Sequence, residues 1–169
     1  MSILSRRTLV TRAAALGGAM AGASLLRVNS LWSQSATPKQ KPAPLPPELV
    51  REFVGAAHGN LDKTKSMLET EPGLINATWD WGGGDFETAL GGASHMGRPD
   101  IAAFLLSKGA RMDLFCATMM GKTDVVRACI ADSPSIVHVK GPHGITLLRH
   151  AVMGKQDALA AMLKEAGAT

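Results

Sequence analysis

Five histidines and two cysteines are the residues best suited to metal-ligating or acid–base chemistry. His138, His143 and His150 stand five and seven residues apart, and no carboxylate or cysteine lies at a helical ligand offset from them. Zinc sites usually pair their ligands more tightly, as in H-E-x-x-H or C-x-x-C. The spacing therefore argues against a metal centre, and neither a metal nor another cofactor is expected. A small histidine- or metal-dependent enzyme using the His138, His143 and His150 region is the alternative to a protein with no catalytic residues. His58 and His95 precede glycines at the ends of helical segments, where a cation meets the negative end of the helix dipole. A structural role suffices for both.

Cys116 and Cys129 fall in two neighbouring helical segments. In an oxidising compartment they could form a disulfide, and as thiols they would fill a core of small residues. The chain contains no G-x-S-x-G, phosphate-loop or dinucleotide fingerprint. Gly82-Gly83-Gly84 precedes neither a lysine nor a helix start, so it does not read as a phosphate cradle. Met119, Met120 and Met153 read as core fillers.

The amino terminus runs from arginines through a bland apolar stretch to a polar region. Ser5-Arg6-Arg7-Thr8-Leu9 resembles the twin-arginine export motif. The apolar run from Ala13 to Leu26 has 14 residues, short of the roughly 20 that span a bilayer. Residues 1–35 read as a signal peptide, cleaved after Ser33-Gln34-Ser35 or at the earlier Ala21-Gly22-Ala23. Export to the periplasm or beyond is expected, with no membrane anchor after cleavage. Residues 36–47 hold five of the nine prolines and read as an extended linker. The folded domain is expected over 48–169.

The formal charge of +4 belongs to the signal. Arg6, Arg7, Arg12 and Arg27 face no acid there, which leaves 14 basic against 14 acidic residues from Ala36 onward. No basic run remains to track phosphates, so nucleic acid is not an expected partner.

Beyond the linker, Gly59, Gly97, Gly121 and Gly154 set a register. An aspartate follows each by three residues: Asp62, Asp100, Asp124 and Asp157. Apolar pairs follow at the eighth and ninth places: Met67-Leu68, Leu105-Leu106, Cys129-Ile130 and Met162-Leu163. The glycines suit left-handed helix ends, the aspartates meet the dipole of the next helix, and the pairs bury one face. These residues resemble the ankyrin repeat. Thr88-Ala89-Leu90 and Thr146-Leu147-Leu148 stand where that family carries T-P-L-H, though its proline and histidine are absent. Gly97-Arg98-Pro99-Asp100-Ile101 through Gly109-Ala110 looks like an ankyrin second helix. The glycine spacings of 38, 24 and 33 depart from the family period of about 33.

The resemblance implies an all-α, ankyrin-type helical repeat solenoid of about four repeats with short β-turn fingers, binding a protein partner through its fingers and concave face. The spacing of 24 leaves no finger between the second and third units, and a helix should start at Asp113 or Leu114. The first finger is enlarged and holds Trp79, Asp80, Trp81, Asp85 and Phe86. Rigid aromatics dominate binding energy where they insert into a partner, so these five and His143 at the tip of the last finger are the candidate partner-binding residues. His143 also reads as a plain turn residue, and one tryptophan is expected to fold back over a helix end.

Overall fold

The computed structural model describes residues 41–169; the expected signal peptide over 1–35 and residues 36–40 of the expected linker lie outside the described residues. The domain is predominantly helical. Eight α-helices among the described residues form four consecutive pairs: α1 (Pro47–Ala56) with α2 (Leu61–Thr70), α3 (Ala89–His95) with α4 (Pro99–Ser107), α5 (Leu114–Met119) with α6 (Thr123–Asp132), and α7 (Leu147–Met153) with α8 (Asp157–Glu165). One antiparallel hairpin, β1 (Thr78–Asp80) with β2 (Phe86–Thr88), joins the first two pairs. None of the described helices is long and apolar enough to cross a membrane.

Local chemistry sets the helix starts. Thr88, Asp113 and Thr146 cap α3, α5 and α7, each side chain accepting a hydrogen bond from the backbone N–H three residues on. Such a cap contributes about 1 kcal/mol. Asn60 does the same for α2, while α4, α6 and α8 lack a side-chain cap. All four second helices carry their aspartate in the first turn, where the positive end of the dipole favours it. The segments Pro72–Asn76 and Pro134–His138 are matching 3-10 turns after α2 and α6.

The glycine register is only partly a matter of left-handed backbone. Gly97 and Gly121 take φ of 63° and 69°, whereas Gly59 and Gly154 do not adopt positive φ. After α7 the left-handed residue is Lys155, at φ 56°. Gly154 answers a different demand: a Cβ there would overlap the carbonyl of Met119 at the end of α5. Close backbone approach, not helix termination, requires glycine at that place.

The first helices pack side by side in the order α1, α3, α5, α7, and each also packs on its own second helix. Two apolar clusters result. One joins Phe53, Leu90, Ile101, Leu105 and Met119; the other joins Val126, Leu147, Leu159 and Leu163. Both cysteines are free thiols. Cys116 is buried in the first cluster, and its burial pushes the thiol pKa up.

His150 is buried within α7, its Nδ1 2.8 Å from the Thr146 carbonyl and its ring tilted against Phe115 with centroids 5.0 Å apart. Burial lowers its pKa from the ordinary 6.5. The unfolded chain therefore takes up a proton that the folded core resists, and stability falls as pH drops below about 6.5. In His150→Gln the stability slope between pH 6.5 and 5, measured by urea unfolding, should be shallower than in the wild type. Equal slopes would show that His150 contributes nothing to acid sensitivity.

Candidate metal centre

The hairpin between the first two helix pairs is organised by its own turn. Gly82, Gly83 and Gly84 all have positive φ, and Asp80 Oδ1 accepts hydrogen bonds from the N–H groups of Gly82 and Gly84 at 2.8 and 3.2 Å. The triglycine is thus explained by backbone geometry. In the paired strands Trp79 lies opposite Glu87 and Asp80 opposite Phe86. Strand alternation turns Phe86 outward, 60% exposed, and buries Glu87.

The last finger closes with an isolated bridge from Lys140 to Thr146. At its tip His143 holds a left-handed φ of 58°, a conformation that needs support for a non-glycine residue. Asp85 supplies it, accepting from the His143 N–H at 2.9 Å through Oδ1 and lying 2.7 Å from Nδ1 through Oδ2. These residues are 58 positions apart. They meet because the connection between Ser107 and Leu114 is too short to form a finger, so the two remaining fingers close on each other beside α5.

Four side chains converge beneath these fingers: His58 just past α1, Glu87 on β2, His95 at the end of α3, and His143. One potential ligand atom from each lies within 4.8 Å of all the others. His58 Nε2 is 3.0 Å from His95 Nε2 and 3.3 Å from Glu87 Oε2. His95 Nε2 is 3.0 Å from Glu87 Oε1, and His143 Nε2 is 3.5 Å from Oε2. The Nδ1 of His58 lies 3.0 Å from the Val54 carbonyl. With Nδ1 of His58 donating to that carbonyl and Nδ1 of His143 to Asp85, the Nε2 of each ring faces Glu87, as a donor when the ring is protonated and as a free lone pair when it is neutral.

Glu87 anchors the group. Its side chain is 0% exposed, against 10% for His95, 24% for His58 and 32% for His143. Trp81 Nε1 donates to Glu87 Oε2 at 2.8 Å. Oε1 is buried with no hydrogen-bond partner, although His95 Nε2 lies 3.0 Å away as an ion-pair neighbour. Burial alone would raise the Glu87 pKa, but His58, His95 and Trp81 outweigh it and hold the carboxyl far below the ordinary carboxylate range. The interaction with Glu87 raises the pKa of His58 against the opposing effect of its burial. Room for the His58 ring comes from Gly92 on α3, where a Cβ would stand 2.8 Å from the imidazole.

The residues expected to face a partner divide between roles. Trp79 folds back on the apolar cluster, as expected of one tryptophan. Trp81, Asp85 and His143 belong to the histidine–glutamate group, Asp80 holds the turn, and Phe86 alone projects freely. His143 is therefore not a plain turn residue. The trio His138, His143 and His150 does not assemble: only His143 reaches the cluster, while His150 is buried on Thr146. His58 and His95 are more than helix-end cations. Local spacing could not reveal the set, because His58, Glu87, His95 and His143 are separated by 29, 8 and 48 positions. The available signal was that His58 and His95 both stand just before register glycines, in adjacent units. No family model matches this chain, and no characterised protein is significantly similar to it in sequence.

Proposed function

We propose that this protein binds a divalent transition-metal ion through His58, His95, His143 and Glu87. The observation that carries this reading is the convergence of three imidazole nitrogens on a buried carboxylate whose Oε1 has no hydrogen-bond partner. A proton can satisfy one donor pair in such a group, whereas a divalent ion can satisfy all four ligands. Imidazole and carboxylate donors bind zinc at about 2.0–2.2 Å, which puts tetrahedral ligand atoms about 3.3–3.6 Å apart. The closest separations here, 3.0–3.5 Å, overlap that range. The donor set also suits iron, cobalt, nickel and copper.

The surroundings support the same reading. Histidine ligands are commonly fixed by a carbonyl or carboxylate at the second ring nitrogen, and Val54 and Asp85 occupy those positions for His58 and His143. Asp85→Ala is expected to weaken zinc binding about 10- to 100-fold while leaving the helical spectrum intact; competition with a chromophoric chelator measures it. Full-length protein stripped of metal should take up one equivalent of zinc by calorimetry, and His58→Ala/His143→Ala should take up none. Equal uptake by the two proteins, or none by the wild type, would refute the proposal.

We read the scaffold as an ankyrin-type stack. The four helix pairs, the shared cap positions Thr88, Asp113 and Thr146, and the first-turn aspartates support this. On this reading the protein is exported by the twin-arginine route, which carries folded proteins and so suits a domain loaded with metal before export. A second role, docking a protein partner, is favoured by Phe86, which stands exposed at the edge of the hairpin. Phe86→Ser should then reduce capture of a periplasmic partner without changing metal uptake.

A further inference from the structure

We infer that the ion held by this group keeps at least one coordination position open to solvent, on the side between His58 and His143, and takes there a water exchangeable for a small oxygen- or nitrogen-donor ligand. The inference rests on the metal-binding reading. It makes the centre a reactive site and not a closed structural clamp.

The four ligands are buried unequally. Glu87 is fully enclosed and His95 nearly so, while His58 and His143 are a quarter and a third exposed. The carboxylate and His95 thus form the floor, and the other two imidazoles form a rim that solvent reaches. A structural zinc site surrounds its ion with protein ligands, whereas a catalytic site leaves a position for water or substrate. His143 is the more exposed rim ligand, 3.5 Å from the carboxylate. The four ligand atoms together spread over as much as 4.8 Å, wider than the edge of a closed zinc tetrahedron, which leaves room for a further ligand on the exposed side.

Trp81 walls that side. Its ring centroid lies 6.1 Å from that of His58 and 6.0 Å from that of His143, and the residue is 39% exposed. On its outer face is a solvent-open cleft lined by Trp81, Gly55, Arg51, Glu48 and Glu52. A second open cleft borders Asp85, Lys140 and Phe115. Solvent reaches the rim itself at His58 and His143, whose side chains are a quarter and a third exposed. Three neutral imidazoles and one carboxylate leave a divalent ion with a net positive charge, which lowers the pKa of a bound water toward 7 on zinc. The exchangeable ligand would therefore be water or hydroxide at neutral pH, displaced by small donors such as carboxylates or azide.

Cobalt substitution reads the coordination number directly. Full-length protein is stripped with chelator, loaded with one equivalent of cobalt(II), and examined by visible absorption before and after azide. Weak bands of five- or six-coordinate cobalt, shifted saturably by azide, are the expected result. Intense tetrahedral bands that azide leaves unchanged would overturn the open position while leaving metal binding in place. Failure to take up either cobalt or zinc would overturn both.

Discussion

Replacing His95 with alanine is expected to abolish stoichiometric zinc uptake, with affinity falling by more than about 100-fold. Changes to groups that merely orient a ligand cost about 10- to 100-fold, so loss of a ligand should exceed that range. His95 makes the closest approaches in the cluster, 3.0 Å to both the His58 nitrogen and Glu87 Oε1. It is the last residue of α3, and the helix does not depend on it. Thr88 caps the other end, and Leu90 and Ala93 provide the buried face. The circular dichroism spectrum should therefore match the wild type, while the melting temperature in chelator should fall because Glu87 and His58 lose a partner. Retention of full zinc affinity in this variant would show that the imidazole is not a ligand.

Glu87→Ala should produce the largest loss of stability in the metal-free protein. Removing one member of a buried charged group leaves its partners unpaired and costs about 3–5 kcal/mol, set against about 5–15 kcal/mol for a whole domain. Trp81 Nε1 would lose its acceptor, and His58 the carboxylate that raises its pKa. Glu87→Gln retains an acceptor for the indole and should lie between the two proteins in urea unfolding. The acid limb gives a further check. Because the folded-state pKa of Glu87 is depressed from 4.5, its stabilisation is complete above that value and lost as pH falls below it. Glu87→Ala should lack this part of the acid-induced loss. An alanine variant as stable as the wild type would mean the buried carboxylate is a liability in the absence of metal.

What could be read from the sequence follows from which forces are local. Thr88, Asp113 and Thr146 mark helix starts because a cap acts over three residues, and the short link after Gly109 leaves room for nothing but the start of α5. Gly154 was misleading: its requirement comes from the Met119 carbonyl, 35 positions away, and no local pattern encodes that contact.

The site divides along the same line. The enlarged hairpin stood out by composition, and Trp81, Asp85 and His143 were singled out within it for partner binding. Their actual neighbours depend on the approach of two fingers and three first helices. His58 and His95 looked like ordinary helix-end residues because each is unremarkable alone. Only side-by-side packing of α1 and α3 sets the two rings against Glu87, with Gly92 leaving space for one of them.

Anomalous diffraction from crystals of zinc-loaded protein tests the central claim most directly. The account predicts a single strong peak at the zinc edge about 2.0–2.2 Å from Nε2 of His58, His95 and His143 and from a Glu87 oxygen. Crystals grown with zinc that show no peak among these four side chains, or that place the ion elsewhere on the chain, would contradict it.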